Sequence, residues 1–172
     1  MNLVLGFGPF VLFALLSRLS ADLALWIAFA AAFVVTIRDF IEQPQLRLLD
    51  GVSLLLFGGL ALWRGFFDPG LSLAALRTIL DLGFTTAIAL SLASRNPFSL
   101  QYAGKAGWSD AAFQRVNYLI SFVWLVAFAA MAVADAAVTF AGQPQYLGIG
   151  INVVALAAAI TFTLRYPASA RR

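Results

Sequence analysis

Arg77 and Asp81 lie four residues apart inside a stretch otherwise fit to cross a bilayer. The run 71–94 reads LSLAALRTILDLGFTTAIALSLAS, and about 20 apolar residues suffice for a span. Four-residue spacing puts both side chains on one helix face. A charge near mid-bilayer costs roughly 2.5–3.5 kcal/mol on insertion scales, so it persists only beside a partner or a wet cavity. The chemistry open to this pair is ion pairing, proton holding or ligand binding.

Other chemistries are excluded by what is missing. The chain has no Cys and no His, which removes disulfides, thiol nucleophiles, haem, Cys/His zinc sites and histidine general bases. Its serines therefore have no imidazole to activate them. Asp39 and Glu42 stand three apart, but in a charged segment that reads as solvated surface. Gly148 and Gly150 follow no strand and lack a third glycine, so they make no phosphate loop. The expectation is a protein that is not an enzyme, with no metal and no cofactor.

The elements that must position the pair follow from composition. The 172 residues are 62% hydrophobic and 11% charged, with mean hydropathy +0.91. Soluble domains are nearer about 45–50% apolar and about 25% charged, so the solvent here is lipid. The sequence predicts an all-α integral membrane protein, one bundle of six transmembrane helices over 3–17, 23–37, 51–66, 71–94, 118–140 and 146–164. The first run is short and broken by Gly6, Gly8 and Pro9; a re-entrant segment there would leave five spans. It lacks the basic start and small-residue cleavage site of a secretory signal. The segment 38–50 reads as a surface loop or short interfacial helix, and Phe67-Asp68-Pro69-Gly70 as a turn.

The longest polar connection, 95–117, is rich in aromatics. Phe98, Tyr102, Trp108 and Phe113 are expected along the headgroup layer, with Lys105 and Arg115 facing anionic lipid. Ser109 and Asp110 offer an N-cap for the fifth helix. Alanines crowd the fifth and sixth runs, and small residues let helices approach closely in lipid. Packing within the bundle is the simpler use for them, a homodimer seam the other.

Orientation follows the basic residues. Arg38, Arg47, Arg95, Lys105, Arg115, Arg165, Arg171 and Arg172 fall on one side, against Arg18 and Arg64 on the other. The positive-inside rule makes the first side, with both termini, cytoplasmic. Scattered as they are, these cations do not suggest nucleic acid. Depth then follows from a rise of about 1.5 Å per residue: Arg77 about 9 Å below the outer surface, Asp81 about 15 Å, Asp135 about 7.5 Å and Asn152 about 9 Å. Three helices thus bring polar groups to one level, with Arg64 and Asp68 just above. Arg77 is expected to pair with Asp135, Asp81 and Asn152 completing the network, and the spare acid, Asp81, to hold a proton. The cluster is either an ion-pair knot or a solute, lipid-headgroup or proton site.

Short motifs along the chain resemble those of the intracellular septation protein A family of bacterial inner-membrane proteins. They are Phe7-Gly8-Pro9-Phe10 with Phe13, Phe57-Gly58-Gly59-Leu60, Arg77-Thr78, Pro97, and Phe122, Trp124 and Phe128. Ser121 stands where that family tends to have Asn, and Asn96–Ala103 looks like a feature of a divergent branch. The resemblance implies a non-enzymatic part in cell-envelope upkeep and septation, through contacts with division or wall-elongation membrane proteins or with lipid. The competing expectation is a small-solute or proton-coupled transporter or channel using the outer-half polar site.

Overall fold

A computed structural model of the chain describes residues 2–42, 44–103 and 110–169. Those residues form seven α-helices, α1 (Asn2–Gly6), α2 (Gly8–Leu16), α3 (Ala21–Glu42), α4 (Leu48–Phe66), α5 (Leu73–Ala93), α6 (Asp110–Phe140) and α7 (Gln145–Ser169), with a 3-10 helix at Phe98–Tyr102. The five helices α3–α7 are long and apolar enough to cross a membrane, so the chain is a multi-pass helical membrane protein.

The bundle has two ends. Residues 17–20, 67–72 and 141–144 join helices at what we call the turn end; residues 44–47, the 3-10 helix and the end of α7 lie at the connection end. The helix starts at the turn end are capped as the sequence allows. The Leu23 N–H donates to Ser20 Oγ at 3.3 Å and the Ala75 N–H to Ser72 Oγ at 3.1 Å, each satisfying a donor with no helical partner. After α6, Gly142 takes the left-handed φ of 63° that ends helices in the Schellman manner, and α7 returns antiparallel.

Three boundaries differ most from the sequence reading because polar turns prolong the helices beyond their apolar parts. Helix α6 begins at Asp110, so the connection 95–117 is shorter than expected, α3 runs on to Glu42 and α7 to Ser169.

The first run is not one helix over 3–17. It breaks at Phe7 into α1 and α2, with Pro9 in the first turn of α2, where its missing N–H costs nothing. A side chain on Gly6 would meet the Tyr102 ring, while Ser17 reaches Arg77 at the turn end. The segment therefore runs the length of the bundle, with Phe7, Phe10 and Phe13 turned into its core and Leu5, Leu12 and Leu15 exposed. Phe7 stacks on Trp124 with centroids 3.9 Å apart and meets Phe98 edge-on. Phe10 packs edge-on against Phe84 and Phe128, and Phe13 lies against Phe57. Such ring pairs contribute about 0.5–1.5 kcal/mol each beyond their buried area, which matters where lipid supplies no hydrophobic drive between helices.

Around this aromatic core α2–α3, α3–α4, α4–α5, α5–α6 and α6–α7 are the packed neighbours. Some small residues serve that packing, Ala127, Ala132, Ala134 and Ala159 being buried, while Ala130, Ala157 and Ala158 are exposed. Helix α7 is peripheral, exposing Leu147, Ile151, Val153, Val154 and Leu164.

Candidate functional site

One turn in from the turn end, α5, α6, α7 and the end of α2 converge on a polar layer. Helix α5 brings Arg77, Thr78 and Asp81, all buried, and α6 brings Asp135, also buried. Helix α7 adds Asn152, whose Nδ2 donates to Asp135 Oδ2 at 2.8 Å. The amide nitrogen is thus committed to the carboxylate, and Asn152 Oδ1 is left buried without a partner.

The helices can close this far only because residue 148 is glycine. A Cβ there would stand 2.8 Å from Asp135 Oδ1 and 3.2 Å from Val138 Cγ2. The Asp81 carboxyl faces that of Asp135 within reach of a shared proton, and no other group donates to either of its oxygens. Two carboxyls in apolar surroundings repel unless a proton or a cation comes between them.

Depth arithmetic thus brings Arg77, Asp81, Asp135 and Asn152 together, but not in the expected pairing. No direct ion pair joins Arg77 to Asp135 or Asp81 among the described residues. The guanidinium donates instead to Ser17 Oγ at 3.0 Å, while the Ser17 hydroxyl donates to the Ala14 carbonyl at 3.2 Å. The Arg77 side chain turns toward α2, a direction that depth alone does not specify.

Arg64 and Asp68 are not part of this layer. Arg64 Nε donates to Asp22 Oδ1 and its NH1 to the Leu71 carbonyl, fastening the end of α4 to the start of α3. Asp68 is exposed and accepts from the Gly70 N–H at 3.0 Å within its own turn.

The layer opens sideways. Helices α2 and α7 are not packed neighbours, and between them lies a cleft of about 580 Å³. Its polar end holds Arg18, Arg77, Asp81 and Asn152; the rest is lined by apolar side chains such as Leu15, Val153, Leu156 and Ile160. From Ile149 to Ile160 the cleft follows α7 for about 16 Å. It is a slot with one polar end, of a volume that small-molecule sites commonly have. Sequence reasoning missed Ser17, Arg18 and Gly148.

A second polar layer lies at the connection end. Arg47, buried at the N-cap of α4, pairs with the buried Asp39 of α3, and Arg38 bonds the same carboxylate at 2.6 Å. The reading of Asp39 as solvated is overturned: α3 continues past it, and the 3-10 helix closes over the pair. The Arg47 guanidinium sits over the Tyr102 ring, 5.0 Å from its centroid. Tyr102 lies beside the buried Asp50. Burial, and then the Asp50 carboxylate, push the Tyr102 phenol well above its ordinary pKa.

The expected headgroup surface on 95–117 is corrected accordingly. Phe98 is fully buried in the aromatic core and Tyr102 nearly so. The 3-10 helix folds inward because its polar groups find partners there: Phe98 N–H on Ser91 Oγ at 3.3 Å, Ser99 Oγ on the Asn117 carbonyl at 2.8 Å, and Gln101 Oε1 accepting from Leu48 N–H at 2.7 Å. Phe113 is half-buried on α6 and Arg115 exposed; Lys105 and Trp108 lie outside the described residues, as does Ser109.

No family model matches the chain, and neither curated proteins nor solved structures give a match.

Proposed function

We propose that this is a non-enzymatic bacterial inner-membrane protein that acts by holding a membrane amphiphile, in the first place a lipid, in the cleft between α2 and α7. The observation that carries the reading is the shape of that cleft: charged and amide groups at one end, an apolar slot along the helix axis at the other. A closed ion-pair knot would serve packing alone. This layer instead borders a space that an amphiphile fits, and α7 presents exposed apolar side chains beside it for the remaining chain. Conduction fits less well, because Phe7, Phe10, Phe84, Trp124 and Phe128 fill the middle of the bundle.

Orientation belongs to the same proposal. The connection end collects most of the basic residues, so the positive-inside rule places it in the cytoplasm with both termini. The part in envelope upkeep and septation, with division or wall-elongation proteins as partners, rests on the resemblance in residues such as Phe7, Phe10, Phe13 and Phe57. These are core residues and speak first to the fold.

The test is to fill the slot at its apolar end. Ala157 lines the cleft and is exposed, so Ala157→Trp should leave folding intact. Protein extracted in mild detergent should carry bound lipid by native mass spectrometry, and the variant should carry none. Equal retention by both would refute the reading.

A further inference from the structure

The unpartnered buried side-chain atoms in and beside the cleft are mostly acceptors. Asp81 Oδ1 and Oδ2 and Asn152 Oδ1 lack any donor, and only Thr85 Oγ1, one turn further along α5, is a hydroxyl. Asp81 is 1% exposed and stands in the cleft wall. An unpaired acceptor at such a place is costly, more so when charged; the Asp135 carboxyl on α6 faces Asp81 but brings no donor of its own when ionised, and none on α2 or α7 reaches it. At the mouth the chemistry is opposite. Arg18 is exposed and Arg77 makes only its bond to Ser17 among the described residues, so cationic donors are left for an anion.

We infer that the cleft selects a phospholipid with a primary-ammonium headgroup, its phosphate between Arg18 and Arg77 and its ammonium turned inward to Asp81 and Asn152 Oδ1. This rests on the proposal that the cleft holds lipid, and adds the headgroup. Arg77 and Asp81 are four residues apart, about 6 Å along the axis of α5, a separation that a phosphate with a two-carbon ammonium arm spans. A phosphate suits guanidinium, which presents paired donors to it. An ammonium brings three N–H donors and a positive charge to the facing carboxyls. A trimethylated nitrogen brings the charge without donors, and a headgroup with phosphate as its only charge leaves the carboxyls uncompensated. The zwitterion matches the two arginines against two aspartates of the layer and adds no net charge. One acyl chain then follows the slot past Leu156 to Ile160, the other lying outside along α7.

The experiment is competition among lipids of identical acyl chains on the full-length protein in mild detergent, read by native mass spectrometry. Phosphatidylethanolamine should be retained about tenfold or more over phosphatidylcholine and phosphatidylglycerol, as expected when a charged hydrogen bond separates them. Asp81→Asn keeps the shape and should still bind lipid, with the preference reduced to within about twofold. The wild-type competition needs no variant, so it stands even if Asp81→Asn fails to fold. Equal retention of the three lipids, or an undiminished preference in folded Asp81→Asn, overturns the inference and leaves lipid binding intact. Displacement of lipid by free phosphoethanolamine overturns it in favour of a soluble ligand. Absence of any lipid from the wild type defeats the underlying proposal as well.

Discussion

Two glycines on one turn of α7 should respond to alanine in opposite directions. At Gly150 a Cβ meets nothing within 4 Å, and replacing a helical glycine with alanine is worth about 1 kcal/mol. At Gly148 the same gain is opposed. The new Cβ would stand 2.8 Å from Asp135 Oδ1, closer than such atoms approach, so the carboxylate must move by roughly half an ångström to restore ordinary packing distance. Its other oxygen accepts the 2.8 Å bond from Asn152, and a charge-assisted bond of that kind contributes about 1.5–3 kcal/mol. The loss exceeds the helix gain, leaving Gly148→Ala less stable by about 1 kcal/mol or more. Unfolding in mixed micelles with increasing denaturing detergent, followed by tryptophan fluorescence, measures both. A Gly148→Ala variant as stable as Gly150→Ala would mean that α7 does not press on Asp135. Asn152→Ala should abolish the difference between the two alanine variants, since the bond at stake is then already gone.

Arg77→Ala and Asp135→Ala should combine nearly additively, within about 0.5 kcal/mol, because the two side chains have no direct bond, whereas Asp135→Ala and Asn152→Ala should couple by 0.5 kcal/mol or more; double-mutant cycles in the same micelles check both. Arg47→Met leaves the buried Asp39 with only the half-exposed Arg38 and should cost about 1–3 kcal/mol, and pairing it with Asp39→Leu should recover most of that. Arg95 holds a left-handed φ of 58° after α5, so Arg95→Gly should raise stability by about 0.5–1 kcal/mol. The raised pKa of Tyr102 means that the folded chain keeps a proton that the unfolded chain loses near pH 10; stability should therefore fall as pH rises above about 10. In Tyr102→Phe this alkaline decline should be shallower, as followed by thermal unfolding between neutral and alkaline pH.

What the sequence disclosed about the fold is what lipid imposes. Backbone groups in hydrocarbon must bond internally, so each long apolar run is a helix, and α3–α7 follow from length alone. A fixed rise per residue also made depth computable, and α5, α6 and α7 do meet at one polar level. Rotation about each helix axis was not legible. Helices that are apolar nearly all round carry no periodic signal to say which side faces a neighbour, so Arg77 could be placed at the right height yet given the wrong partner. For the same reason the inward turn of Phe7, Phe10 and Phe13 along α1 and α2 was not legible. One signal was available: Asp135 and Gly148 lie about equally far from Gly142, and an antiparallel hairpin sets them opposite each other.

The two polar layers differ in a way that bears on function. At the connection end Arg47 is matched with Asp39 beneath the 3-10 helix, and the unpartnered Asp50 Oδ1 and Tyr102 hydroxyl lie side by side, enclosed by that packing. Such a layer fixes how α3, α4 and the connection fit together, and the cleft between α2 and α7 does not reach it. At the turn end the acids face each other, the nearest arginine turns away to Ser17, and the acceptors that remain adjoin a cleft rather than a neighbouring helix. A purely structural cluster would be better served by apolar side chains of the same volume, since burying ions often costs as much as their pairing returns. Carboxyls held apart from their cation beside an amphiphile-sized slot are instead what the proposed lipid site requires: under that proposal its acceptors stay unsatisfied until the ligand arrives.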